Sequence, residues 1–170
     1  LLDHAVRVGM PDYAHAFQPL LRPLDDYAIR ILEQRLAPRI PSDVAQRRDY
    51  FSPYLGDLCQ RERVLLERNG RYLEQNLVFG RSIQKLGTLL FCLDYGINRP
   101  CEAAGVWRDV AEVFSASEMT DLYPDLRAVN EFRNTRVAHI EQPLQSAEDA
   151  RQAMRCWLRC LSKMGIIVGE

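Results

Sequence analysis

The chain has 170 residues, 47% of them hydrophobic and 26% charged, with a formal net charge of −1. That length and apolar content suit one domain with its own core and exclude a disordered or fibrous chain. The near-neutral balance argues against a globally basic nucleic-acid binder. Residues 126–163, however, carry seven Lys/Arg against four Asp/Glu, a local +3 that leaves −4 for the rest.

Strand signals are nearly absent, the exception being the short β-branched run Ile166-Ile167-Val168, whereas helical periodicity recurs along the chain. Pro23 is expected to open a helix whose apolar stripe is Leu24, Tyr27, Ala28, Ile31, Leu32 and Leu36, with Pro38 and Pro41 ending it. Ser42 is the expected N-cap of a short helix into Tyr50. Ser52-Pro53 reads as the start of another, with Gly70 as its C-terminal stop. Residues 71–95 are mostly helical in character, with Gly80 and Gly87 as weak points, and Gly96 and Pro100 close them. A shorter helix over 102–114 carries Trp107 and Val110, and residues 115–124 read as a loop with room for a turn of helix.

Pro124 is expected to open the helix that carries the chemistry, running to about His139, with Pro143 marking the break after it. Ser146 then caps the last helix, about 147–164, with Asp149 at its third position. Ala147, Ala150, Met154, Trp157, Leu161 and Met164 form a bundle seam on it, and Gly165 is its expected stop. The expectation is therefore an all-α bundle of five to seven helices in a single domain, 1–170. The chain starts at Leu1 rather than Met, which suits a domain excised from a larger protein.

The five cysteines, Cys59, Cys92, Cys101, Cys156 and Cys160, are odd in number and lie in apolar stretches. A disulfide framework is not expected, and a reducing cytoplasm is. No apolar run approaches the ~20 residues of a membrane span, and there is no signal peptide. No metal or cofactor is expected: Cys156 and Cys160 are one turn apart but lack a second Cys/His pair at matching spacing, so buried thiols are the better reading. His4 and His15 lack convincing carboxylate partners. The aromatics sit at helical spacing, which suggests core packing rather than a base-stacking platform. Neither a Gly-rich phosphate loop nor a Gly-x-Ser-x-Gly elbow is present.

The segment with chemical content is Asn130-Glu131-Phe132-Arg133-Asn134-Thr135-Arg136-Val137-Ala138-His139. Arg133 offers a permanent cation and a planar fork of donors suited to phosphate oxygens. His139 has the side chain whose free pKa lies nearest neutrality. Asn134 is both donor and acceptor, Arg136 adds a second cation, and Asn130 and Arg136 are candidates for binding substrate. On a regular helix Arg133 and His139 would stand about 120° apart and ~9 Å along the axis. They converge if His139 sits at the helix end and turns back, or if two copies of the helix pack about a two-fold.

Arg followed by a polar residue, with His a few positions on near a helix end, resembles the HEPN signature, here R-N-T-R-V-A-H over 133–139. The resemblance extends from about Tyr123 to Met164, through the short loop and the Ser-capped helix; the rest agrees in helical character. It implies a helical bundle that dimerises through the motif helices. It also implies a metal-independent endoribonuclease of the kind found in toxin–antitoxin or anti-phage systems, with an antitoxin or a larger parent protein as partner. Arg133 and His139 would be the catalytic pair beside Asn134, acting on single-stranded RNA through its 2′-OH. A subset of the family carries a nucleotidylated Tyr two residues after the His; Glu141 stands there, so that regulation is not expected. The acidic or basic residue that some members draw from an earlier helix has no clear match, with Glu131, Lys85 and Asp94 as candidates.

The competing reading of the motif is ordinary: Arg133 pairs with a carboxylate and His139 caps its helix. The chain would then be a non-catalytic helical dimerisation or interaction module. An all-α nucleic-acid-binding regulator is a third, weaker alternative, since no helix-turn-helix is evident. Arg151, Arg155, Arg159 and Lys163 recur every four residues, and read better as a solvated face than as a phosphate track.

Overall fold

The stripe read from the sequence becomes one face of a long helix, on which Leu24, Ala28, Ile31, Leu32 and Leu36 are fully buried. The same conversion of period into burial recurs at Leu86, Leu89 and Leu93, and at Ala150, Trp157 and Met164. The structure, a computed structural model, describes residues 2–7, 12–53, 58–81, 83–98, 104–138 and 144–170. Its α-helices are α1 (Leu2–Arg7), α2 (Gln18–Leu36), α3 (Val44–Phe51), α4 (Gln60–Leu77), α5 (Lys85–Asn98), α6 (Val106–Phe114), α7 (Ser117–Phe132) and α8 (Ala147–Val168). Short 3-10 turns occupy Tyr13–Phe17 and Ala37–Arg39, and a π-helical turn occupies Arg133–Ala138. There is no β-strand among the described residues, so the fold is all-α, and α2 to α8 each run eight residues or more. No helix among the described residues is long and apolar enough to cross a membrane.

Several helix ends differ from the sequence expectation. The second helix begins at Gln18, so Pro23 lies inside it and Pro19 occupies its first turn, where a missing N–H costs nothing. Asp43, not Ser42, caps α3, its side chain accepting from the Gln46 amide at 2.9 Å. Ser52 follows the end of α3 rather than opening a helix, and α4 starts at Gln60. Gly70 does not end α4. It is buried mid-helix where a Cβ would lie 2.6 Å from the Phe51 carbonyl oxygen, so it is a close-approach glycine. Residues 117–124 are helical, and Pro124 sits inside α7 instead of opening it. The last helix continues through Gly165 and the β-branched run, ending where Gly169 adopts a left-handed φ of 83°. Ser146 does cap α8, accepting from the Asp149 amide at 3.2 Å.

The described residues form two compact units, Leu1–Tyr27 with Pro124–Glu170, and Ala28–Tyr123. The second unit is built around Trp107, which packs edge-on to Phe91 at 5.6 Å and against Tyr95 at 5.2 Å. Its α4–α5 turn is clamped by the buried Asn76 side chain, which donates to the Ile83 carbonyl at 2.8 Å and accepts from the Ile83 amide at 2.9 Å. Asp94, a candidate from the sequence, is engaged within this unit by the Tyr123 hydroxyl at 2.6 Å and the Asn98 amide at 2.9 Å.

The first unit carries the motif. Its centre is an aromatic cluster of Phe17, Phe132 and Trp157, with ring centroids 4.8 Å (Phe17–Phe132), 5.1 Å (Phe17–Trp157) and 6.1 Å (Phe132–Trp157) apart. Phe17 and Trp157 are almost wholly buried. This cluster ties the end of α7 to the middle of α8 and to the 3-10 turn before α2, which fixes the framework on which the motif stands.

Candidate functional site

The residues after Phe132 leave the α-helical path and make the π-helical turn Arg133–Ala138. The sequence gives a local reason. Thr135 turns its hydroxyl back onto its own helix, donating to the Glu131 carbonyl at 2.9 Å and reaching the Phe132 carbonyl at 3.5 Å. Such back-bonding competes with the regular backbone ladder and bends helices, and the β-branched Thr135 and Val137 add crowding. A tertiary contact supports the turn: the Gln18 side-chain amide donates to the Val137 carbonyl at 3.4 Å, and Val137 is buried. Single π turns inside helices are frequent at functional sites because they re-aim side chains.

Arg133 sits at the first position of this turn, with Nη2 3.7 Å from Asp25 Oδ2 on α2. The separation exceeds hydrogen-bonding distance, and both side chains are about one-third exposed or less. The arrangement is a loose, partly solvated ion pair rather than a bidentate lock. Asn134 and Thr135 are exposed, and Asn130 and Arg136 are half-buried. The structure thus brings Arg133, Asn134 and Arg136 onto one turn, with Asn130 one turn earlier. His139 and Glu141 lie outside the described residues.

Asp25 was not singled out in the sequence. It is separated from Arg133 by most of the chain, and its neighbour Asp26 is equally acidic, so nothing local marked it. The other two acidic and basic candidates differ in exposure: Glu131 is exposed and Lys85 is half-buried.

The chain is pinned before it enters α8. Asp12 Oδ1 accepts from the amides of Ala14 at 2.9 Å and Leu144 at 3.0 Å, and the Tyr13 amide donates to the Leu144 carbonyl at 2.9 Å. These bonds hold the start of α8 against the 3-10 turn, so both chain segments that flank His139 in sequence are anchored to the same element.

On α8, Arg151, Arg155 and Arg159 are exposed and Lys163 is half-buried, as a solvated face requires, but two of the four also engage one buried carboxylate. Asp125 is a buried carboxylate on α7; the Arg159 Nε lies 3.0 and 3.1 Å from its two oxygens, and Lys163 Nζ is 2.8 Å away. Burial alone would push the Asp125 carboxyl up, but the hydrogen bonds from Arg159 and Lys163 outweigh it and hold it below the usual carboxylate range. Arg159 and Lys163 thus neutralise a buried carboxylate from the helix surface. Arg151 stands 3.7 Å from Glu148 at the surface. Cys156 is half-buried and Cys160 buried. Burial raises both thiols, Cys160 to about 12, so neither is a ready thiolate at neutral pH. Among the described residues no group of three or more His, Cys, Asp or Glu comes together as a metal-binding cluster.

A pocket of about 360 Å³ opens beside the π turn, between the end of α7 and the first half of α8. Arg136 lines it together with Phe132 and Trp157. No protein-family model, curated protein or solved structure matches the chain.

Proposed function

We propose that this chain is a HEPN-type, metal-independent endoribonuclease acting on single-stranded RNA. The observation that carries the reading is the motif Arg133-Asn134-x4-His139, whose described part forms a π-helical turn with Arg133 near the surface and in only a loose ion pair. A cation held in that way can exchange its carboxylate neighbour for a phosphate, to which its planar fork is matched. Arg136 on the same turn adds positive potential, and Asn134 and Asn130 supply neutral donors and acceptors.

In the proposed reaction the RNA 2′-OH attacks the adjacent phosphorus and the 5′-oxygen leaves. His139 takes the proton from the 2′-OH or gives one to the leaving oxygen, and Arg133 stabilises the extra negative charge on the phosphorane-like transition state. The products carry a 2′,3′-cyclic phosphate and a 5′-OH. Because the nucleophile belongs to the substrate, DNA is not cut. Two motif helices packed about a two-fold would place two such sets in one cleft, so a homodimer in the cytoplasm, working in toxin–antitoxin or anti-phage defence, fits this reading.

A second reading is favoured by one specific observation: Arg133 has an intrachain carboxylate partner in Asp25. If that pair is structural, the chain is a non-catalytic helical interaction module of a larger defence protein. Cleavage of end-labelled single-stranded RNA in EDTA, wild type beside His139→Ala, separates the two. The ribonuclease reading expects cleavage by the wild type alone, with both proteins equally helical by circular dichroism. Equal cleavage by the two, or none by a folded wild type, removes it.

A further inference from the structure

The pocket beside the π turn has a composition that the phosphate chemistry does not use. Its walls are Phe132 from α7 and Trp157 from α8, two rings already fixed by Phe17, and the small side chains of Ala128 and Ala153 leave room between the helices. Its polar residues are few and of mixed type: Asp149, Gln152 and Arg136, with Cys156 beside them. Asp149 and Gln152 are exposed and stand three residues apart, on the same face of α8. The indole Nε1 of Trp157 is buried with no hydrogen-bond partner among the described residues, an uncommon state for a strong donor. A concave, largely apolar site of about 360 Å³ with a few polar groups is the usual form of a small-ligand pocket.

We infer that this pocket receives a guanine base of the RNA strand, seated between α7 and α8 while the adjoining phosphate meets Arg133. This rests on the ribonuclease reading and names a specificity determinant for it. A flat heteroaromatic ring suits the Phe132–Trp157 walls, since base faces stack on aromatic side chains whatever their sequence. The polar groups then select among bases. Guanine presents two adjacent donors, N1–H and the N2 amino group, which a carboxylate such as Asp149 can accept together. Its O6 and N7 are acceptors that suit Arg136 and Gln152. Adenine lacks the paired donors, and the pyrimidines present neither the second ring nor the O6/N7 edge. Arg136 links the two halves of the site, because it lines the pocket and stands three residues after Arg133 on one turn.

The test reads the pocket without relying on catalysis. The full chain is labelled with ¹⁵N, and the indole N–H signals of Trp107 and Trp157 are assigned with the Trp157→Phe variant. The protein is then titrated separately with GMP, AMP, CMP and UMP. GMP is expected to move the Trp157 signal and leave Trp107 in place, with at least roughly tenfold weaker binding of the other three. Asp149→Asn is expected to lose that preference, and Ala153→Met, which fills the pocket, to lose the shift. No shift with GMP, or equal shifts with all four nucleotides, overturns the base site. The two ideas fail separately: GMP selectivity in a protein that never cleaves RNA keeps the base site and removes the ribonuclease, whereas His139-dependent cleavage without GMP binding does the reverse.

Discussion

Arg133 faces Asp25 across 3.7 Å, close enough for attraction and too far for a hydrogen bond. Partly solvated pairs of this kind contribute up to about 1 kcal/mol to stability. On this account Asp25 keeps Arg133 oriented in the absence of RNA and gives way to phosphate. Asp25→Asn is expected to leave the melting temperature nearly unchanged and to tighten binding of single-stranded RNA several-fold, because a negative neighbour is removed. Fluorescence anisotropy with a labelled oligonucleotide measures this, and weakened binding would count against the displaceable role.

Asp125 makes a different kind of contact. It is buried, and Arg159 and Lys163 hold its carboxyl below the ordinary range. A carboxylate whose pKa is lower folded than unfolded stabilises the fold above its unfolded pKa of about 4 and loses that contribution as pH falls through the folded value. The wild type should therefore lose stability on acidification below roughly pH 4. Asp125→Asn should melt several degrees lower than wild type near neutrality, with the gap narrowing in acid. Thermal melts of both proteins across this range check the sign; a gap that widens in acid would contradict it.

Two glycines in helices should respond oppositely to alanine. At Gly70 a Cβ would lie 2.6 Å from the Phe51 carbonyl oxygen, so backbone must move, and Gly70→Ala is expected to destabilise by about 1–3 kcal/mol. At Gly87 the same Cβ meets, among the described residues, Gln84 Oε1 at 3.5 Å, an ordinary contact. Gly87→Ala should stabilise by roughly 0.5–1 kcal/mol through helix propensity alone. Urea denaturation of the two variants reads both values.

The contrast between those glycines shows what the sequence carried and what it did not. Positions set by periodicity were largely legible: Leu24, Ala28, Ile31, Leu32 and Leu36 on α2 and Ala150, Trp157 and Met164 on α8 emerge buried because the period of apolar residues is the cause of their burial, while Tyr27, Ala147, Met154 and Leu161 are half-buried. Local punctuation was less dependable. Gly70 and Gly165 look like helix stops, and Pro23 and Pro124 look like helix starts, yet each lies inside a helix. At Gly70 the reason is visible, since the glycine is there for Phe51. The candidate site was legible only as a motif. The approach of Asp25 to Arg133 and the capture of Arg159 and Lys163 by Asp125 depend on contacts between residues far apart in sequence, which no short window of sequence contains.

Removing the cap of α8 should have a graded effect. Ser146 accepts from the Asp149 amide at 3.2 Å, so Ser146→Ala is expected to cost about 1 kcal/mol and Ser146→Asp to restore most of it. Chemical denaturation measures the series; an unchanged alanine variant would mean that the start of α8 is held by the Asp12 bonds to Leu144 and Ala14 instead.

Cleavage of RNA through the 2′-OH, as proposed for the Arg133–His139 motif, is tested most directly by the chemical ends of the product. Mass spectrometry of fragments from a defined single-stranded RNA incubated in EDTA should show 2′,3′-cyclic phosphates and 5′-hydroxyls from the wild type, and intact RNA from Arg133→Ala and His139→Ala. Fragments ending in 3′-hydroxyl and 5′-phosphate, or the same fragments from all three proteins, would contradict it.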